Sequence, residues 1–261
     1  MSLSWRERLV VTLAPDRVLL RPQGPLWRQA RGETRSLSCQ GAADTAEPWR
    51  GPLSQLASIA EKNIDLEVVL SSHFVRLQLL PWQAELGRRE EWVAYAGFRF
   101  HEIYGSLADA WDIVLSMEPP GRPMVACAVD RALLGALNEL ARERGWRLRS
   151  VEPAFSRAWN RHRGSLRGPA GVFALAEPGR VCAGLSRGGE WFALRNQIVG
   201  ELDDALSAML EQQALLAESS PVAGGEVLVV GLDGGRLPEP SGLPPGWSPC
   251  RTRVSAKGSV R

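Results

Sequence analysis

Hydrophobic positions in this chain come in short bursts whose period switches between strand-like and helix-like spacing. Apolar runs at 9–13 and 18–20 flank Ala14, Pro15 and Asp16, and two β-rich segments around a Pro-Asp turn predict a hairpin. Residues 30–50 are small and polar, which predicts a loop with one edge strand near Leu37. Leu53, Leu56, Ala57 and Ala60 recur at helical spacing and predict a short amphipathic helix. Residues 65–70 alternate and then become continuously apolar, as a buried strand does. Residues 73–80 read as a second strand that stops at Pro81. A helix follows over about residues 88–104, with Trp92, Tyr95, Ala96 and Ile103 on one face, then a strand over 110–117 and a Pro119-Pro120-Gly121 connection.

The clearest unit comes next. Residues 124–129 form an apolar strand, Asp130 is a good helix N-cap, and Leu133, Leu137, Leu140 and Ala141 mark the buried face of a helix that Gly145 stops. Residues 147–151 return as a strand, and Pro153 suits the first turn of a helix through Phe155, Ala158 and Trp159. Residues 164–171 mark a boundary, after which the pattern restarts. Strands are expected at 172–176, 180–185 and 190–197, turning at Glu177-Pro178-Gly179 and Arg187-Gly188-Gly189. A helix over 202–216 and an apolar strand over 226–232 lead to Asp233-Gly234-Gly235. The Pro- and Gly-rich remainder is mostly loop, loose from Ser255. Hairpin, helix and strand therefore occur twice, as a repeat of topology rather than of sequence. The expected organisation is a first lobe over 1–163 with a small inserted subdomain at about 71–122, a shorter second lobe over 172–254, and a tail at 255–261.

Composition narrows the function class. Of 261 residues, 44% are hydrophobic and 23% charged, the balance of a folded protein. The 31 basic and 29 acidic side chains nearly cancel, so no general attraction to nucleic acid or membrane is built in. The opening stretch lacks the features of a secretory signal, and no window approaches the ~20 apolar residues of a membrane-spanning helix. Cys39, Cys127, Cys182 and Cys250 are scattered without a paired motif, so reduced thiols in a cytoplasmic protein are expected.

Catalytic chemistry is hard to find. His73, His101 and His162 lie far apart, so no metal site is expected. Ser186 has the Gly-x-Ser-x-Gly spacing with Gly184 and Gly188, but the stretch runs from an expected strand into a hairpin turn rather than into a helix, so it makes no nucleophile elbow. Glu90 and Glu91 are adjacent on a helix and point about 100° apart, which suits a solvated helix start. Arg142, Arg144, Arg147, Arg149, Arg157, Arg161, Arg163 and Arg167, interleaved with Trp146 and Trp159, offer a possible nucleic-acid or anionic-membrane surface. Against that stand Glu139, Glu143 and Glu152 as internal partners. Trp49, Trp82, Trp92 and Trp111 gather around the expected subdomain, where most large aromatics are core.

The order of elements resembles the actin-like fold, and more narrowly PilM of type IV pilus assembly and the cytoplasmic part of GspL of type II secretion. Residues 125–159 carry it most closely: strand, Asp-capped helix ending at Gly145, strand, and a Glu152-Pro153 turn into a helix. The stretch Leu70-Ser71-Ser72-His73-Phe74-Val75-Arg76, followed by Pro81 and Trp82, is similar to the family's region after the first lobe's buried strand. The resemblance implies a two-lobed actin-like (ribonuclease H-like) α/β fold with a shortened second lobe. It also implies a groove in the first lobe that receives the tail of a membrane-bound partner, with Phe74, Arg76 and Trp82 as the partner-binding residues by analogy.

The departures bear on the nucleotide site. Actin-like ATPases carry a Gly-rich hairpin with an aspartate that cradles phosphate and organises Mg²⁺. Here the first hairpin has Pro15 and no glycine, and proline removes a backbone donor. The second lobe's equivalent offers Glu177 and Gly179 around Pro178. The adenosine-side motif is roughly preserved as Gly231, Gly234 and Gly235, although a strand ending in Asp-Gly-Gly is more commonly an ordinary tight turn. The resemblance thus implies a degenerate nucleotide site with ATP and Mg²⁺ not expected, and a non-catalytic, inner-membrane-associated scaffold. An active actin-like ATPase or small-molecule kinase, and a nucleic-acid or membrane binder through the arginines, are the alternatives.

Overall fold

The structure is a computed structural model that describes residues 7–23, 33–39, 47–61, 63–116, 118–200, 202–216 and 224–250. The expected tail at 255–261 and residues 30–32 and 40–46 of the polar 30–50 stretch lie outside the described residues, while the edge strand expected near Leu37 is present.

The first lobe begins with β1 (Glu7–Ala14), β2 (Arg17–Gln23) and β3 (Arg35–Ser38), then α1 (Arg50–Ala57) and β4 (Ile64–Leu70). A small subdomain follows: β5 (Val75–Leu80), α2 (Arg89–Tyr104), a 3-10 turn over Gly105–Ala110, β6 (Trp111–Leu115) and β7 (Met124–Asp130). The lobe closes with α3 (Arg131–Glu143), β8 (Arg147–Pro153) and α4 (Ala154–His162). The second lobe comprises β9 (Ala170–Glu177), β10 (Arg180–Arg187), β11 (Glu190–Ile198), α5 (Leu202–Leu216), β12 (Gly225–Gly231) and β13 (Trp247–Pro249).

The repeat expected from the pattern is realised in the sheets. The first lobe's sheet runs β3-β2-β1-β4-β8 and the second lobe's runs β11-β10-β9-β12-β13. In each, an antiparallel three-strand meander is followed by two strands added in parallel to its first strand. The third sheet, β5-β7-β6, is antiparallel and backed by α2. Its central strand is β7, which pairs with both β5 and β6.

Local chemistry accounts for the boundaries. Asp130 caps α3 by accepting from the Ala132 amide at 2.8 Å. Gly145, at φ +65°, ends the helix while the Trp146 amide returns to the Ala141 carbonyl. Two expectations change. In α2 the buried face is Trp92, Ala96 and Phe100, whereas Ile103 is 61% exposed. Periodicity identifies a helix face but not how far the sheet beneath it extends. The carboxy-terminal stretch read as loop holds the short strand β13, whose pairing comes from its neighbour rather than from its own sequence.

Alternation in the second lobe decides how the lobes meet. On β9 and β12, Val172, Ala174, Val227 and Val229 face Leu206, Met209 and Leu210 of α5. The intervening Phe173, Leu175, Leu228 and Val230 point the other way and join one continuous core with Leu13, Val68, Leu70 and Phe155 of the first lobe. The two lobes therefore share a core.

Candidate functional site

The turn after β4 puts Ser71 beside the first hairpin, where its amide donates to the Leu13 carbonyl at 2.9 Å. Glu177, the last residue of β9, enters from the second hairpin and is almost fully buried. Its carboxylate accepts from the Ser71 hydroxyl and, at 2.8 Å, from the Ser72 amide. His73 lies at 3.1 Å from the Pro178 carbonyl through Nε2, so a protonated Nε2 donates to that oxygen. Asn196 of β11 donates to the Ser72 and Val75 carbonyls at 3.0 and 3.3 Å. Arg180 donates to the Asn196 side-chain oxygen at 3.1 Å. Glu177, which the sequence reading places on the phosphate side, thus forms a clasp between the lobes. Gly179 is a turn residue at φ +70° with open space around it.

The glycine turn after β12 is similarly occupied by the first lobe. Arg21 of β2 donates to the Asp233 carbonyl at 2.7 Å, and His162 of α4 sits 3.0 Å from the Gly234 carbonyl. A methyl group added at Gly234 would meet Arg161 Nη1 at 2.6 Å. Gly231 and Gly235 close the turn on each other, with the Gly231 amide donating to the Gly235 carbonyl at 2.8 Å. Gly234 therefore lies against Arg161 and His162 of the first lobe, and Gly231 and Gly235 bond each other.

Burial first, and then the nearby Arg180 charge, lower the His73 pKa below its ordinary 6.5. The imidazole stays neutral in the fold at a pH where the unfolded chain has begun to bind a proton. Stability is therefore complete above about pH 6.5 and falls as pH drops through that value. Denaturation midpoints from pH 7.5 to 5 should decline in the parent and decline less in His73→Gln. An equal decline in both would remove His73 from this role.

The residues expected to bind a partner do not share one surface. Phe74 is buried in the inter-lobe core. Arg76 donates to the His73 and Val75 carbonyls at 3.1 and 3.0 Å. Trp82 stacks at 5.3 Å on Trp92 of the subdomain core. Phe74 precedes β5, Arg76 lies on it and Trp82 follows it past Pro81, so the three are spread from the lobe junction to the far end of the small sheet. What lies between that sheet and the first lobe is a groove of about 540 Å³, lined by Val114, Cys127, Val151, Phe155, Trp159 and Trp191 among others. Burial pushes the Cys127 thiol up to about 12. Trp191 lies so close over Gly184 that no side chain fits there, which is why β10 carries a glycine mid-strand.

Several arginines of the 142–167 stretch are engaged by groups of the protein itself, some of them at the surface. Arg149 pairs with Asp65 at 2.6 Å, Arg157 with Glu67 and Glu152, and Arg142 with Glu139 at 3.2 Å. Arg144 donates to the Ile59 carbonyl and lies over Trp146. Among the described residues no group of three or more His, Cys, Asp or Glu could hold a metal ion. No described helix is long and apolar enough to cross a membrane.

No known family and no curated protein matches the sequence. Solved structures do match in shape. The cytoplasmic domain of EpsL, an inner membrane component of the type II secretion system of Vibrio cholerae, aligns over 94% of this chain and 86% of its own, at 13% identity and TM-score 0.57. A Bacteroides thetaiotaomicron protein with an actin-like ATPase fold and unknown function covers 87% and 82% at 12% identity, again with TM-score 0.57. The PilM-PilN type IV pilus biogenesis complex gives 87%, 82%, 11% and 0.57. With its duplicated sheet order and these matches, the chain has the two-lobed actin-like fold, of the kind seen in the EpsL cytoplasmic domain and the PilM-PilN complex.

Proposed function

We propose that this protein is a non-catalytic assembly component of a type II secretion or type IV pilus machine. It works at the cytoplasmic face of the inner membrane and holds a segment of a membrane-associated partner. The observation that carries the reading is the clasp: Glu177, from the turn that would face phosphate, is buried on Ser71 and Ser72 of the opposite lobe. A nucleotide phosphate in that position would have to displace these bonds and place its negative charge beside a buried carboxylate. The Pro15 turn of the first hairpin offers no glycine to bring backbone amides close to phosphate. The groove between α4 and the small sheet supplies the apolar seat for the partner segment, with Val114 exposed at its rim.

A thermal titration with ATP, ADP and Mg²⁺ tests the non-catalytic half. Ligand at ~100 times its dissociation constant adds about 2.7 kcal/mol of stability. The expected result is no shift. A Mg²⁺-dependent rise would overturn the reading and put an actin-like ATPase first.

A further inference from the structure

A second concavity, of about 750 Å³, lies at the free edge of the small sheet, between β5, α2 and β11. Each of the strands β5 and β11 is the outermost of its sheet, and each turns its unpaired edge toward the other. Asn196 closes one end by donating to the Val75 carbonyl. Because that carbonyl points toward β11, strand alternation turns the backbone N–H and C=O of Leu77 and Leu79 the same way, where no strand pairs with them.

Side chains add charge to the trench. Arg99, Arg187 and Arg195 line it against one lining carboxylate, Glu190, which is itself paired with Arg122 at 2.9 Å. Arg195 is exposed and has no ion pair among the described residues. Arg99 reaches Glu102 at 3.2 Å, yet its Nε is buried without an acceptor. Ile103 and Phe192, 61% and 38% exposed, supply apolar contacts beside these cations.

We infer that this trench binds an extended acidic segment of a partner protein, which adds a strand to the free edge of β5 with its carboxylates on Arg99 and Arg195. The free edges call for an extended backbone, and the cations for acidic side chains alternating with apolar ones. The chain's own carboxy-terminal residues 251–261 have the wrong charge: they include Arg251, Arg253, Lys257 and Arg261 and no acid. The trench runs along the free edge of β5, whereas the groove of the proposed function is lined by β6, β7, β8 and α4; Trp191 lines both.

The test uses the full chain and a fluorescein-labelled Glu-Val-Glu-Val-Glu-Val-Glu peptide, read by anisotropy. Its Gln-Val counterpart and a version N-methylated at alternate residues serve as controls. The acidic peptide should bind at least about tenfold tighter than either control, and Arg195→Glu should weaken it by about tenfold. Hydrogen exchange should slow in 75–80 and 190–196. Equal binding of the N-methylated peptide would overturn strand addition. Indifference to Arg195→Glu, or protection confined to other segments, would overturn the site. Equal competition by single-stranded oligo-dT would mean a general polyanion surface and overturn the peptide assignment.

Discussion

Glu177→Ala should destabilise the protein by roughly 2–5 kcal/mol, because each buried polar group left without its partner costs about 1–3 kcal/mol. The Ser72 amide would lose its acceptor, and the Ser71 hydroxyl would lose the carboxylate and keep only its contact with the His73 amide. Glu177→Gln should cost less, since its amide oxygen can still accept one of the two bonds. Urea midpoints at pH 7.5 measure both changes, and an unaltered m-value would place the effect in the folded state. Hydrogen exchange at Ser71 and Ser72 should quicken in the alanine variant more than in the glutamine variant. The opposite result, an alanine variant as stable as the parent that gains ATP affinity, would show that the carboxylate blocks a working phosphate site. That outcome would sink the scaffold reading while leaving the fold untouched.

Phe173→Ala should cost about 3–5 kcal/mol, the usual range for emptying a buried aromatic site. Phe173 has no exposed surface and packs edge-on against Phe155 at 5.5 Å and Trp159 at 5.4 Å. Trp191 completes the cluster at 4.5 Å from Trp159. Phe155 and Trp159 belong to α4, and Phe173 and Trp191 to β9 and β11, so this aromatic cluster spans the lobe junction. The parent should unfold in one transition, with far-UV circular dichroism and tryptophan fluorescence coinciding. In the variant both signals should move together to a lower midpoint. Two separated transitions, with only the second lobe's shifted, would mean that the lobes are independent and that the shared core contributes little.

Much of the architecture was legible before any coordinates. The Asp130 cap, the Leu133, Leu137, Leu140 and Ala141 stripe, the Gly145 stop and the two hairpins are local signals, set by backbone conformation and a single buried face, and all of them hold. The repeat of hairpin, helix and strand was visible as order along the chain, and it matches the strand order of both sheets. The candidate sites were less legible. Glu177, Gly231, Gly234 and Gly235 could be picked out by their positions in turns. What those turns face is set by residues more than 70 positions away: Ser71 at a separation of 106, His162 at 72 and Arg21 at 212.

The partner-binding stretch shows the same limit. Phe74, Arg76 and Trp82 lie within nine positions of one another, yet the structure places them in the inter-lobe core, on backbone carbonyls and in the small subdomain. Its alternating pattern predicted the strand correctly but said nothing about which sheet would cover each face. Likewise, nothing local to β5 or β11 signals that their edges turn toward each other across a basic trench. The sequence by itself determined most of the elements, the Asp130 cap and the alternation of strands and helices, because those follow from short-range sterics and from periodic burial. The actin-like fold was implied by resemblance, and β13 was not visible. Tertiary structure alone decided the clasp, the shared core, the groove and the trench. Each of these depends on how the two lobes and the inserted sheet are placed, and that placement is fixed by long-range packing that no window along the chain contains.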